Sequence, residues 1–281
     1  MSFAATNILC CPIDRLPLSQ QGNCLRCEDG HSFDLARQGY VNLLAASDKR
    51  SRDPGDSKAM VIARRDFLDS GHYQPVAHKL AEMVMPQLDE DAVLVDAGCG
   101  EGYYLHQLLQ QMTAGGHSQP EIVAFDISKW AVQAAARRFS ASWLVASNRN
   151  IPVVDHSVDM LLSLFGFSEF SSFHKALKPD GYLLLVGAGP AHLQELREVI
   201  YPTVKSSQST ELEQAKSGGF VLVESSTLEY RTAPLSQAEI TQLLNMTPHL
   251  FRASREGKER ALTLDEFPVT VQATFLLLKP Q

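Results

Sequence analysis

The chain has 281 residues, of which 44% are apolar and 20% charged, and its formal net charge is −7 at pH 7. This composition supplies a full hydrophobic core and excludes a disordered chain, and the longest apolar runs are far too short to cross a bilayer. The N-terminus lacks a basic region followed by an apolar stretch. We therefore expect no signal peptide, and a cytoplasmic protein without a membrane partner.

Residues 1–44 hold four of the five cysteines. In a reduced compartment such crowding favours a metal over disulfides. The candidate ligands are Cys10, Cys11, Asp14, Cys24, Cys27 and His31. They form two short-spaced groups, at 10–14 and 24–31, as zinc sites usually do. The segment predicts a small zinc-ribbon-like domain. The alternative is a unit that has lost its metal and packs on the main domain.

Residues 45–90 are expected to form a basic linker and two helices. Residues 45–57 are polar and contain a turn signal at Asp53-Pro54-Gly55. Ser57 can cap a helix over 58–69 that Gly71 ends, and a second helix is expected from Pro75 to Pro86. Residues 1–65 carry nine Lys/Arg against seven Asp/Glu. A positive arm on an acidic body suits a phosphate-bearing partner, although a plain solvated surface is the alternative.

Residues 91–281 alternate between strands and helices. Near-continuous apolar strands that alternate with helices predict a parallel sheet covered on both faces, an α/β fold. The predicted strands are 93–96, 122–126, 143–146, 158–164 and 182–186. Two longer strands, 220–224 and 269–278, follow, and between them Ser236 and Glu239 form a capping box for a helix.

The segment from Val93 to Gly102 predicts a cofactor turn. A buried strand ends in Asp96, and Gly98, Gly100 and Gly102 follow before a helix that begins near Tyr103. Glycines let the backbone approach a ligand closely, and a helix N-terminus offers free N–H groups. A nicotinamide-dinucleotide turn requires Gly-x-Gly-x-x-Gly, which is absent here. The acid before the first glycine suits a cationic ligand such as S-adenosylmethionine. The alternative is a tight turn without a ligand.

A second acid, Asp126, ends the following strand, 24 residues after Gly102. An acid at this place in a doubly wound fold binds ribose hydroxyls, whereas alone it could equally be a carboxylate that caps a helix. Gly189, Pro190 and His192 follow the fifth strand, on the same edge of the sheet. Position alone favours a structural histidine over a ligand-binding one.

The sequence resembles the RlmA-type 23S rRNA guanine-N1 methyltransferases along nearly its whole length. The residues that carry the resemblance are Cys11-Pro12, Pro17-Leu18, Cys27, His31, Phe33-Asp34, Gly39 to Leu44, Lys49 to Ser57, Gly71-His72-Tyr73, Gly98 to Tyr104, Gly189-Pro190, His192-Leu193, Glu195-Leu196 and Met246-Thr247-Pro248. Of these segments, the one from Lys49 to Ser57 is the most specific, since the glycine turn occurs in many methyltransferases.

The resemblance implies a class I Rossmann-like methyltransferase sheet behind an N-terminal zinc domain. It also implies methyl transfer from S-adenosylmethionine to N1 of a guanine in a 23S rRNA hairpin, with the rRNA or a large-subunit precursor as partner. It places Tyr73, Tyr104, Leu105 and His192 at the cofactor, beside Asp96, the three glycines and Asp126. The basic residues expected to contact RNA are Lys49, Arg50, Arg52, Arg64 and Arg65. A homodimer is left open.

The sequence departs from the family at two places. The second zinc cysteine falls on Asp14, so Asp14 or Cys24 would complete a site with Cys11, Cys27 and His31. The segment that faces the target base reads Leu164-Phe165-Gly166-Phe167 and lacks the family's proline. An unpaired base is held by aromatic stacking, so Phe165 and Phe167 are the candidates for this role, with Phe165 matching the family's aromatic position, and core packing is the alternative.

Two other functions are compatible with the sequence. A small-molecule methyltransferase could use the same fold, although the basic arm argues against it. A non-catalytic RNA-binding relative could keep the cofactor pocket after losing its chemistry, and the change at 164–167 is consistent with that.

Overall fold

The structure, a computed structural model, describes residues 3–49, 51–203, 210–247 and 249–281. It contains a three-stranded antiparallel sheet near the N-terminus and an eight-stranded mixed sheet that forms the centre of the molecule. No helix in the described ranges is both long and apolar enough to span a membrane.

The small sheet comprises β1 (Ser19–Gln21), β2 (Cys24–Arg26) and β3 (Ser32–Asp34). Strands of three residues bury little, and Leu25 is the buried residue of β2. The sheet therefore shares its apolar contacts with the main domain, because Leu9, Leu25 and Val153 belong to one buried cluster.

The next strand, β4 (Tyr40–Asn42), leaves this unit and joins the large sheet. The other strands of that sheet are β5 (Val93–Ala97), β6 (Glu121–Asp126), β7 (Ser142–Val145), β8 (Val158–Leu164), β9 (Leu177–Ala188), β10 (Phe220–Arg231) and β11 (Thr270–Pro280). The domain boundary expected after residue 44 stays a prediction. β4 lies before that boundary, and its pairing with the large sheet connects the N-terminal unit to the main domain.

The strand order is β4-β7-β6-β5-β8-β9-β11-β10. Every pair from β4 to β9 is parallel, whereas β11 runs antiparallel to both of its neighbours. The order reverses between β5 and β8. In open α/β sheets, ligands bind at this reversal, beyond the carboxyl ends of the strands. The class I Rossmann-like sheet expected from the sequence is confirmed.

The helices cover both faces of the large sheet. They are α1 (Lys58–Asp69), α2 (Gln74–Val84), α3 (Tyr103–Ala114), α4 (Lys129–Ala135), α5 (Phe170–Ala176), α6 (Gln194–Ile200), α7 (Glu211–Ser217), α8 (Gln237–Met246), α9 (His249–Arg252) and α10 (Arg255–Ala261). Strand side chains alternate between two buried clusters, so Leu94 packs on one face and Val95 on the other.

Local capping signals in the sequence give the helix starts correctly. Ser57 Oγ accepts a hydrogen bond from the backbone N–H of Met60 at 3.3 Å, which starts α1 at the expected residue. Ser236 and Glu239 form the expected capping box of α8. The strand expected at 220–224 is longer than predicted, because it continues in register with β11 as far as Arg231.

Candidate functional site

The glycine turn between β5 and α3 has the backbone conformation that the sequence suggests. Gly98, Gly100 and Gly102 have φ values of 91°, 55° and 82°. L-residues rarely adopt such angles. A Cβ atom at Gly102 would also lie 3.1 Å from Ala135 Cβ and 3.2 Å from the Trp143 ring. The turn therefore needs glycine for backbone conformation and for close packing against α4 and β7.

Asp96 lies beneath this turn with a carboxylate that is incompletely hydrogen-bonded. The residue is 2% exposed, and its Oδ1 atom is buried without a hydrogen-bond partner in the described part of the chain. Burial, followed by the negative charge of Asp126, raises the pKa of Asp96 to about 8. A buried polar atom without a partner destabilises the free protein by roughly 1–3 kcal/mol. A cationic ligand would supply the missing partner.

Asp126, at the end of β6, holds the turn in place. Its Oδ2 accepts a hydrogen bond from the Gly100 N–H at 3.0 Å, and its Oδ1 accepts one from the Ser128 N–H at 2.7 Å. Burial raises its pKa, while these two backbone N–H donors act in the opposite direction. Asp126 is therefore part of the turn's support, and its role toward ribose hydroxyls remains a prediction. We call the surface at the ends of β5, β6 and β8 the cofactor edge.

A residue that the sequence did not single out also fixes the turn. Arg138 Nε donates to the backbone carbonyl of Glu101 at 2.9 Å and to its carboxylate at 2.8 Å. Arg138 also forms an ion pair with Asp69 at 3.0 Å. Arg138 thus joins α1 and the turn through one guanidinium. No motif in the sequence could have indicated this contact, because 37 residues separate Arg138 from Glu101.

Aromatic side chains gather on the other side of the cofactor edge. Tyr73 Oη and His192 Nε2 are 3.2 Å apart, and the Gln272 backbone N–H donates to His192 Nδ1 at 3.3 Å. Since Nδ1 accepts, the proton of the neutral ring lies on Nε2, which donates to Tyr73. Burial lowers the pKa of His192 to about 4, so the ring is neutral at pH 7. Both ring nitrogens are thus engaged.

Phe165 extends this group toward solvent. Its ring stacks on His192 with a centroid distance of 6.1 Å and lies 6.0 Å from the Tyr104 ring. The residue has a φ of 51° directly after β8, and 39% of it is exposed. The alternative of core packing is therefore wrong for Phe165. Phe167 is still more exposed, at 61%.

Leu105 is placed differently from the expectation. It is fully buried in the core, at 0% exposure. Its side chain points into the helix-covered face of the sheet, because it lies on the same apolar stripe of α3 as Leu108, Leu109 and Met112. The buried side chain leaves only the backbone of Leu105 for a cofactor contact, and cofactor binding at this residue stays a prediction.

The N-terminal candidates form one compact group that could hold a metal. Single ligand atoms of Cys11, Asp14, Cys27 and His31 all lie within 4.8 Å of one another. Cys27 Sγ is 3.2 Å from Asp14 Oδ2 and 3.4 Å from His31 Nδ1, and Cys11 Sγ is 3.7 Å from His31 Nδ1. Zinc bonds of about 2.0–2.3 Å in tetrahedral geometry need ligand atoms roughly 3.3–3.8 Å apart. Asp14 Oδ2 and His31 Nδ1 are only 2.7 Å apart and must separate slightly to admit an ion between them. With that adjustment these residues, which we call the zinc-ligand cluster, fit Zn²⁺.

The alternative ligand, Cys24, lies outside this cluster. Its Sγ donates to the backbone carbonyl of Gln21 at 3.2 Å. Cys24 and Arg26 flank the buried Leu25 in β2, so both point to the opposite face of that strand. Cys10 is also excluded, because its Sγ donates to the carbonyl of Val153 at 3.1 Å. Asp14 is the fourth member of the group.

The basic arm divides into exposed and inward-facing residues. Lys49 and Arg52 are exposed, and Arg65 is paired with Asp66 at 2.6 Å. Arg50 lies outside the described residues. Arg64 corrects the expectation, because its guanidinium pairs with the Asp56 carboxylate and donates to the Met246 carbonyl at 3.1 Å. It also lies 3.9 Å from the place of a Cβ on Gly100, so it faces the glycine turn.

Known protein families match both the N-terminal unit and the main domain. Residues 9–52 match the family model described as "RlmA, N-terminal", and residues 94–181 match a methyltransferase domain. The chain is 33% identical to a 23S rRNA (guanine(748)-N(1))-methyltransferase of Streptomyces fradiae, and the match covers 96% of each chain.

Two further relatives also match over nearly the whole chain. A putative 23S rRNA (guanine-N(1)-)-methyltransferase of Micromonospora griseorubida is 31% identical over 96% of this chain and 95% of its own. A putative enzyme of the same description from Bacillus subtilis is 30% identical over 95% of both. The chain therefore belongs to the RlmA-type family of 23S rRNA (guanine-N1)-methyltransferases.

Proposed function

We propose that this protein transfers a methyl group from S-adenosylmethionine to N1 of a guanine in 23S rRNA, within a hairpin. The observation that carries the proposal is the match along 96% of the chain to a relative named for this reaction. The site agrees with it, because one edge of the sheet combines an unpaired carboxylate for a cation with exposed aromatic rings for a base.

The cofactor would lie on the glycine turn. Asp96 would hold its ammonium group, Asp126 its ribose hydroxyls, and the backbone of Gly98 to Gly102 allows the close approach. Tyr73, Tyr104 and His192 would line the methionine side. S-Adenosylmethionine, when bound, supplies the electrophilic methyl group.

The target nitrogen must be made accessible before it can react. N1 of guanine takes part in Watson–Crick pairing, so the base must leave its stem to reach the site. Phe165 presents an exposed ring at the cofactor edge, and stacking on it would hold the base plane with N1 about 3 Å from the methyl carbon. The neutral His192 supports Phe165 from behind through their stacked rings. Because both of its ring nitrogens are hydrogen-bonded, His192 serves as a support rather than as the acceptor of the N1 proton.

The zinc-ligand cluster would stabilise the N-terminal unit. Arg15, one residue after Asp14, donates to the carbonyl oxygens of Ile151 at 2.6 Å and Val153 at 2.7 Å. Through these bonds, a metal held by Asp14 would fix the unit on the main domain. A 23S rRNA substrate also implies action in the cytoplasm, and a homodimer remains a prediction.

The test is methyl transfer to an unmodified 23S rRNA transcript and to large ribosomal subunits, with isotopically labelled S-adenosylmethionine as donor. Mass mapping of RNA fragments then gives the modified base and its position. We expect one N1-methylguanine in a hairpin loop or stem.

Label in another base or another guanine atom would contradict the proposed chemistry. Cofactor binding without transfer to any rRNA substrate would instead favour a non-catalytic RNA-binding relative or a methyltransferase for small molecules. If the Phe165→Ala variant methylates at the wild-type rate, Phe165 does not stack on the target base. That result would leave the proposed methyl-transfer reaction unchallenged.

A further inference from the structure

A shallow groove runs between α1 and α4, next to the cofactor edge. Its volume is about 180 Å³, and Lys58, Arg65, Trp130 and Arg137 are among its lining residues. Sites that enclose small molecules usually measure roughly 300–1,000 Å³. The groove is therefore too small to enclose such a ligand, and it suits an extended molecule that lies across it.

Two lysine ammonium groups lie beside Trp130, at the end of the groove where α4 begins. The Lys129 ammonium lies 4.8 Å from the indole centroid and the Lys58 ammonium 5.7 Å from it. The indole N–H donates to Asp53 Oδ2 at 3.0 Å, which fixes the ring. Cation–π attraction keeps both ammonium groups beside the ring while they remain exposed.

Most cations at this groove lack a carboxylate partner among the described residues. Within the described ranges of the chain, Lys58, Lys129 and Arg137 have no carboxylate at ion-pair distance, and Arg65 pairs with its neighbour Asp66. The protein as a whole carries a net charge of −7. A cluster of unpaired cations on an acidic protein is complementary to a polyanion.

The groove also continues the exposed part of the basic arm. Ser128 Oγ donates to the Asp56 carbonyl at 2.6 Å, and a Cβ on Gly55 would lie 2.9 Å from Ser128. The linker is thus fixed on the start of α4, two residues after Asp126. Lys129 begins α4 and Arg137 lies in the turn just after it, so the two cations mark the two ends of this helix.

We propose that the α1–α4 groove binds the phosphate backbone of the substrate rRNA beside the methylated nucleotide. This inference rests on the proposed function, because it takes 23S rRNA as the polyanion. Lys58, Lys129 and Arg137 each contact a phosphate. Trp130 positions the two lysines and does not stack on a base, since its ring already lies against two ammonium groups.

The test compares groove cations with cations that are already paired. The neutral variant is Lys58→Gln with Arg137→Gln, and the control is Lys216→Gln with Arg255→Gln, whose side chains pair with Glu213 and Glu259. Binding to a 23S rRNA transcript is measured from 50 to 300 mM KCl. Each phosphate contact contributes about 0.7–0.9 to the slope of log K against log salt, so the groove variant should lose about 1.4–1.8 of it.

The control variant should keep the wild-type slope, and both variants should keep wild-type affinity for S-adenosylmethionine, which checks the fold. A second groove variant, Lys58→Glu with Arg137→Glu, should weaken RNA binding at 150 mM KCl by about tenfold or more. A wild-type slope in the groove variants, while the wild-type protein binds and methylates rRNA, would overturn the groove proposal alone. An equal loss in the control would overturn it as well. If the wild-type protein does not bind or methylate rRNA, the proposed function itself fails.

Discussion

The zinc-ligand cluster and the cofactor edge differ in what holds their ligand-binding groups in place. The cluster brings four ligand groups within 4.8 Å of one another in a unit whose strands have three residues each. The cofactor edge fixes its turn through Asp126, Arg138 and the sheet, and in the described part of the chain it leaves one carboxyl oxygen of Asp96 without a hydrogen-bond partner. We therefore expect the first site to need its metal for rigidity, and the second to keep its form before any ligand binds.

This difference follows from the size of the surrounding core. Asp96 lies in a sheet of eight strands whose two buried clusters hold the backbone in place, so an unpaired oxygen there is tolerated. The small sheet buries little of its own and depends on contacts with the main domain, because Leu25 belongs to one of these same clusters. Below about 40 residues, a folded unit usually needs a metal, a disulfide or a partner.

The largest expected effect comes from breaking the zinc-ligand cluster. Cys27→Ser should lower the zinc content from about one ion per chain to near zero and unfold residues 9–34. Structural zinc contributes on the order of 10 kcal/mol to such units. Elemental analysis and hydrogen exchange of the N-terminal segment measure both effects. Cofactor binding should persist, because the glycine turn has its own supports.

Cys24→Ser is the matched control, since its thiol lies outside the cluster and bonds to Gln21. It should keep the zinc content of the wild-type protein. A loss of zinc in Cys24→Ser, or full zinc in Cys27→Ser, would show that the ligand group is assigned wrongly.

The second effect is expected from removing the charge of the Asp96 carboxylate. Asp96→Asn should weaken S-adenosylmethionine binding by about tenfold or more, because a charge-assisted hydrogen bond contributes about 1.5–3 kcal/mol. Isothermal calorimetry measures it, with Asp91→Asn as the control, since Asp91 is an exposed acid just before β5. Binding as tight as in the wild type would refute the pairing of Asp96 with the ligand cation.

The same carboxyl group predicts a pH dependence. Its pKa of about 8 means that Asp96 is mostly protonated in the free protein at neutral pH. Because the ionised form binds the cation, affinity for S-adenosylmethionine should rise between pH 6 and 7.5, by up to about tenfold per pH unit. Asp96→Asn should remove this dependence, and a flat profile in the wild-type protein would contradict the prediction.

A smaller effect, a loss of activity toward rRNA, is expected when the ring of Phe165 at the cofactor edge is removed. Phe165→Ala should lower kcat/KM for the rRNA by roughly 10-fold, within the 1–3 kcal/mol that stacking contributes per base. Phe165→Tyr should keep most of the activity, because the ring face is retained. Cofactor affinity should be unchanged in both, and methylation assays with a hairpin transcript decide the outcome.

The smallest effect concerns Arg64, where sequence and structure disagree. Arg64→Gln removes a pair with Asp56 and a bond to Met246, so it should lower the melting temperature by about 2–4 °C. It should leave the salt dependence of RNA binding unchanged, whereas Arg52→Gln should reduce it. Calorimetric melting and filter binding measure the two effects. A lower salt slope for Arg64→Gln would restore the original expectation of an RNA contact.

Features that depend on local physics could be predicted from the amino-acid sequence alone. The three glycines predict a left-handed turn because only glycine adopts such angles freely, and Ser57 and Ser236 predict helix starts because their side chains bond to N–H groups three residues away. The apolar strands with helices between them predict a parallel sheet for a similar reason, since each element shows its own burial pattern.

Which of several similar residues share a site became clear from the three-dimensional packing. Cys24 and Asp14 are equally plausible ligands by spacing, but the burial of Leu25 turns Cys24 to the other face of β2. Arg64 and Arg65 are neighbours in sequence, yet the helical turn of 100° per residue directs one to the glycine turn and the other to the α1–α4 groove. Contacts between residues far apart in the chain depend on how the elements pack, and a single sequence carries no local signal of that packing.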